Sequence, residues 1–170
     1  MNPEAVAQQA LRQLNLPLPA VRTAPPRGST PQQPDGTVGL RHYFWVDQTQ
    51  WVPQRSRVTV AGVSAEVTAI PTTLTITPGD GPAHSCQGPG TPYDPAKGPD
   101  QQDTRCSHLY TTSSAHQPGA AYRTAVSVQW TATWVASDGT GGALPPVTRT
   151  TAFALRIAEG QALTQPQRSR

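Results

Sequence analysis

The chain has 170 residues, with thirteen Lys and Arg against ten Asp and Glu for a formal net charge of +3. Nineteen prolines and fourteen glycines make about a fifth of it, while only 14% of residues are charged and 6% aromatic, which excludes a coiled coil or helix bundle and stays below the ~25–30% Pro plus Gly of low-complexity disorder. No apolar run approaches the ~20 residues of a membrane span, so no membrane insertion by this segment is expected.

Residues 1–16 are expected to hold one short helix over 3–14. Asn2 is placed to cap it, and Pro3 falls at the first helical position, where a missing N–H costs nothing. Val6, Ala10 and Leu14, with Leu11 alongside, form a narrow apolar stripe. Residues 17–38 read as a Pro-rich linker or loop, most clearly from Pro25 to Gly36. Residues 39–160 read as a β-sandwich, and 161–170 as a flexible tail.

The first strand is expected over Gly39–Asp47, with Phe44 and Val46 on one face and Tyr43 and Trp45 on the other. Strands follow over Arg57–Ala61 and Val63–Ile70, and the phase switch at Gly62 predicts a bulge or turn. Leu74 and Ile76 alternate with threonines up to the break at Pro78-Gly79-Asp80-Gly81. Tyr122, Thr124, Val126, Val128, Trp130, Ala132 and Trp134 occupy every second position, the period of a strand with one buried face. Asp138–Gly142 is a turn signal, and a last strand is expected over Val147–Ala158. Long strands turned at intervals define an all-β sandwich with a short N-terminal α-helix.

Cys86 and Cys106 end a Gly/Pro-rich stretch, are not in CxxC pairs and have no His/Cys cluster to complete a zinc site. A disulfide is the simplest reading, closing a loop of about 20 residues and adding roughly 3 kcal/mol; two buried free thiols are the alternative. A disulfide implies an oxidising compartment. The first twenty residues lack a basic segment followed by an apolar one, so either an export signal lies upstream of Met1 in a longer parent, which is the expectation here, or the protein is cytosolic. Scattered arginines, with a tight pair only at Arg168 and Arg170, argue against nucleic-acid binding.

Leu74–Gly81, Leu-Thr-Ile-Thr-Pro-Gly-Asp-Gly, resembles the signature strand and turn of PKD (polycystic kidney disease) domains, with Thr75 and Thr77 in place of the family's Trp and Phe. His108-Leu109-Tyr110 is similar to the family's His-x-Tyr, Pro118–Tyr122 to its Pro-Gly-x-Tyr, and Val126-x-Val128 to its closing strand. The resemblance spans residues 58–135 and implies an immunoglobulin-like sandwich that spaces or binds other modules on secreted and cell-surface proteins. With Trp-Val-Asp-Gln-Thr-Gln-Trp at 45–51, Cys-Gln-Gly-Pro-Gly-Thr-Pro-Tyr-Asp at 86–94, Ser-Ser-Ala-His-Gln-Pro-Gly-Ala-Ala-Tyr at 113–122 and Arg-Ile-Ala-Glu-Gly-Gln-Ala-Leu at 156–163, the whole chain also resembles uncharacterised exported proteins of streptomycetes, consistent with twelve Arg against the single Lys97 as the codon bias of a GC-rich, actinobacterial genome. Some of those proteins are described as ATP/GTP-binding. No GxxxxGK[ST] occurs here, so no nucleotide is expected.

Gly79-Asp80-Gly81 reads as a tight turn in which Asp80 bonds nearby backbone N–H groups; calcium ligation, with help from Asp94, Asp100 and Asp103, is the weaker reading. No metal and no cofactor are expected. His42, His84, His108 and His116 have no nucleophile motif near them, although Ser85, Ser113 and Ser114 are close in sequence. A metal-assisted hydrolase using Asp80 with His84 or His108 is therefore the most distant reading. Tyr43, Trp45 and Trp51 are candidate binding aromatics if the Phe44 face is core; the competing arrangement covers both faces, one of them with the N-terminal helix. The function expected is a non-enzymatic, extracytoplasmic interaction or spacer domain with a protein partner. The alternative is a carbohydrate module for a cell-wall glycan.

Overall fold

The computed structural model describes residues 2–28, 30 and 32–160; the tail expected at 161–170 lies outside the described residues. Among the described residues one α-helix, α1 (Pro3–Gln13), precedes ten strands: β1 (Val21–Ala24), β2 (Gly36–Thr37), β3 (Arg41–Val46), β4 (Gln54–Val60), β5 (Val63–Thr77), β6 (His84–Gln87), β7 (Ser107–Leu109), β8 (Tyr122–Ala136), β9 (Gly141–Leu155) and β10 (Ile157–Ala158). The large antiparallel sheet runs β4-β5-β8-β9, with β6 also on β5. Strand β5 is long enough to take β4 along Val63–Ala69 and β6 along Thr73–Ile76. The small antiparallel sheet runs β1-β3-β7, and β10 pairs β2 in a parallel ribbon.

The helix forms where the caps demand. The Asn2 side chain accepts from the Glu4 N–H at 3.0 Å, and Pro3 opens the first turn. Val6, Ala7 and Ala10 are buried against β4, β5 and β8, two of them small enough to let the helix lie close to the sheet. Tight two-residue geometry joins β4 to β5: Ala61 and Gly62 both have positive φ, 51° and 84°, as the twist-matched hairpin turn requires. The phase switch at Gly62 is thus a turn.

A second phase switch lies within β5. Ala65, Val67 and Ala69 are buried at odd positions, Leu74 and Ile76 at even ones. Pairing with β8 slips between Pro71 and Thr73, leaving Thr72 as the extra residue, its hydroxyl donating to the Gln129 carbonyl at 3.1 Å. The two short strands expected over 63–77 are therefore one bulged strand. Strand β9 likewise starts earlier than the expected Val147. It runs through Pro145 and Pro146, where its register with β8 slips, and it ends before the separate β10. Prolines are tolerated there because β9 is an edge strand.

One face of β8 serves two cores. From Tyr122 to Trp130 it packs, with Leu74, Ile76 and Leu155, against Phe44 and Val46 of the small sheet. From Ala132 to Ala136 it packs with Val58, Ala65 and Val67 against α1. The described part of 17–38, expected as a linker or loop, contributes β1 and β2 to this body. Within it, Val21 and Thr23 pair with Val46 and Phe44, and Val21 packs on the main core before Pro25 and Pro26 end the strand.

Candidate functional site

The Gly-Asp-Gly turn follows β5, and its shape is imposed by neighbours. Gly79 has φ 102°, and a Cβ there would stand 2.7 Å from the Arg123 carbonyl oxygen, so only glycine fits under the start of β8. The Pro78 carbonyl accepts from the buried Tyr110 O–H at 3.1 Å and from the Thr124 hydroxyl at 3.0 Å. These two bonds anchor the turn so that Asp80 faces β7. There Asp80 Oδ1 lies 2.8 Å from His108 Nε2, with both side chains largely shielded from solvent. The expected bonding of Asp80 to local N–H groups is corrected: its partner is an imidazole brought in by the small sheet.

Aromatic rings continue the cluster inward. The His108 ring stands edge-on to Tyr110 at 4.5 Å and nearly parallel to His84 at 5.7 Å, and Tyr110 stacks on Tyr122 at 5.2 Å. Burial, and then the neighbouring His108, hold the His84 imidazole below its ordinary range; its Nε2 is buried without a partner. Burial also pushes the Tyr110 phenol up, with Asp80 adding to the effect. Deeper still, His42 is 1% exposed. Burial lowers it to about 4 against a partly compensating Asp35, so its imidazole is neutral at neutral pH.

The structure brings together the three residues of the metal-hydrolase reading, Asp80, His84 and His108, but in another arrangement. The His108 nitrogen nearest the carboxylate is committed to it. Among the described residues no three His, Cys, Asp or Glu are placed to share a metal ion. The nearby serines are engaged elsewhere: Ser85 with Thr75, Ser114 with the Ala120 carbonyl and the Ile157 N–H, and Ser113 with the Ala115 N–H. Asp94 and Asp103 serve their own loop. The first accepts from the Ala96 N–H, and the second pairs with Arg105 and Thr91, hydrogen bonds that hold its carboxyl well below the usual carboxylate range. What the Asp80–His108 pair does in this arrangement is tie the turn of the large sheet to β7 of the small one.

This defines a stability prediction. Asp80→Asn retains an acceptor for the imidazole N–H and is expected to cost about 1 kcal/mol or less, whereas Asp80→Ala should cost roughly 1.5–3 kcal/mol as a hydrogen bond to a charged group is lost. Thermal melts with millimolar calcium and with EDTA should coincide. A calcium-dependent rise of several degrees that disappears in Asp80→Asn would make the turn a cation site.

Cys86 on β6 and Cys106, just before β7, form a disulfide with Cα atoms 5.6 Å apart. Both are buried in the main core, and the bridge joins the flanks of the two sheets. The loop between them folds over the outer face of β3. Tyr43 is only 7% exposed, because Tyr93 of that loop packs on it with ring centroids 5.2 Å apart. Gly90 lies so close to Trp45 that a Cβ would stand 2.9 Å from its Cβ, leaving Trp45 half-buried. Trp51 is half-buried against the main core, after the turn Gln48–Gln50. Tyr43 is therefore not an exposed binding aromatic, and the cover on its face is the cysteine loop, not α1.

Compared with protein-family models, curated proteins and solved structures, the chain matches none of them. No helix among the described residues is long and apolar enough to cross a membrane.

Proposed function

We propose that the chain is a non-enzymatic, extracytoplasmic interaction or spacer domain, of immunoglobulin-like PKD type, in a larger secreted or cell-envelope protein or assembly. The observation that carries this reading is the buried Cys86–Cys106 bridge between the two sheets, since such bonds persist in oxidising compartments. Three strands of fifteen residues each, at ~3.3 Å per residue, give a stiff body ~50 Å long, suited to spacing or presenting other modules. The immunoglobulin-like assignment is supported by the Tyr110 O–H on the Pro78 carbonyl and by the order of Pro78–Gly81, His108-x-Tyr110 and β8 along the chain. The second reading, a cell-wall glycan module, is supported by an arginine-lined cleft on the open side of the sandwich rather than by Tyr43.

Cell fractionation of the source organism, with thiols alkylated before lysis, tests the compartment. The chain is expected in the envelope or the medium with both cysteines protected. Recovery from the cytosol with both cysteines alkylated would overturn the proposal.

A further inference from the structure

The two long sides of the sandwich differ. On one, the disulfide links β6 to the residue before β7. On the other, β1 and β9 are the edge strands of their sheets, and a cleft of about 560 Å³ opens between them. Three arginines from separate segments line it: Arg22 on β1, Arg27 in the loop that follows, and Arg156 between β9 and β10.

Asp35, 5% exposed at the base of this cleft, builds it. One carboxylate oxygen accepts from the Gly28 N–H, and the other from the Arg156 N–H at 2.7 Å. The carboxylate thereby clamps the loop carrying Arg27 to the chain carrying Arg156, and both its oxygens already accept backbone N–H bonds. The guanidinium of Arg27 is laid on the Phe153 ring, 4.3 Å from its centroid. Arg156 is half-buried and has no ion pair among the described residues. Arg22 at the rim reaches Asp47 at 3.5 Å with its side chain 63% exposed, a contact of the kind worth ~0–1 kcal/mol and readily exchanged for another anion. Guanidinium forks match the paired oxygens of phosphate and carboxylate groups.

We propose that this cleft binds an anionic cell-envelope polymer, one bearing phosphate or carboxylate groups, through Arg27 and Arg156 with Arg22 at the rim. The assignment rests on the extracytoplasmic reading above and names the ligand class for it. Nucleic acid fits less well, because single strands are held by bases stacked on open aromatic faces, and the Phe153 ring beside the cleft is covered by Arg27.

Binding of the full chain to poly(glycerol phosphate), polygalacturonate, neutral dextran and a single-stranded oligonucleotide, measured on immobilised protein, tests this. At least one of the first two is expected to bind, and the stronger identifies phosphate or carboxylate as the source. Dextran should not bind, and affinity should fall on going from about 0.02 M to about 0.3 M salt. Arg27→Gln, at an exposed side chain, should weaken binding at least about threefold, and Arg27→Gln with Arg156→Gln at least about tenfold. The charge-matched control Arg55→Gln, on β4, should leave binding unchanged. Failure of both anionic polymers to bind, equal binding of dextran, tighter binding of the oligonucleotide, or an unaltered Arg27→Gln would each overturn the assignment. If those failures occur while the cysteines are oxidised in the envelope fraction, the cleft assignment alone falls and the compartment reading stands.

Discussion

Trp130→Ala is expected to destabilise the fold by about 3–5 kcal/mol, as large-to-small changes of buried aromatics do. The side chain is 1% exposed in the main core. It stands where both neighbouring strands break register: opposite Pro71, beside the Thr72 bulge, and opposite Val147, beside Pro145 and Pro146. Backbone irregularity on both sides leaves few alternative contacts to collapse into the space an indole vacates. At about 2–4 °C per kcal/mol for a domain of this size, the melting temperature should fall by roughly 10 °C. The indole N–H is buried without a partner, so Trp130→Phe, which keeps most of the volume and removes that donor, should cost far less than alanine. Denaturant titration of the three proteins checks this. An alanine variant within ~1 kcal/mol of wild type would mean that the indole does not fill the core.

Trp130 was legible in the sequence because one face of β8 is covered along its whole length, by the small sheet over one half and by α1 over the other. Continuous cover preserves a period of two, whatever provides it. The caps of α1 were legible for a local reason, since Asn2 and Pro3 act within one turn. Strand β1 was hidden: four residues between prolines carry too short a pattern, and only the partner strand β3 makes Val21–Ala24 extended. In sequence the single strand β5 has the pattern of two, because Thr72 shifts the phase without ending the pairing.

The site was less legible than the fold, and for one physical reason. Asp80 and His108 meet because the two sheets face each other, and no spacing along the chain encodes that approach. The arginine cleft takes Arg22 and Arg27 from the stretch whose composition is that of a linker or loop, and Arg156 from near the other end of the described chain. Scattered cations in the sequence became a cluster once two edge strands were aligned. Tyr43 failed as an exposed aromatic in the opposite way: alternation placed it correctly on the face opposite Phe44, but alternation cannot say what a long loop will cover.

That loop depends on the disulfide, and its removal is the second large effect expected. Cys86 and Cys106 are 20 residues apart in sequence, so in the chain-entropy account the bridge stabilises by roughly 3 kcal/mol through the unfolded state. In the native state it fixes both ends of the segment that covers β3. Between those ends the loop is held by few long-range bonds, among them the Val46 N–H to the Pro89 carbonyl at 2.8 Å, with Gln102 bracing Asp94 internally. Reduction of the wild type should therefore lower its unfolding free energy by about 3 kcal/mol and expose Tyr43 and Trp45, seen as a shift in tryptophan emission before the global transition. The pair Cys86→Ala and Cys106→Ala should lose somewhat more, because two buried side chains are also shortened. Thiol titration of the denatured, unreduced protein should find no reactive cysteine. Two reactive thiols, or a reduced protein as stable as the oxidised one, would remove both the staple between the sheets and the main support for an oxidising compartment.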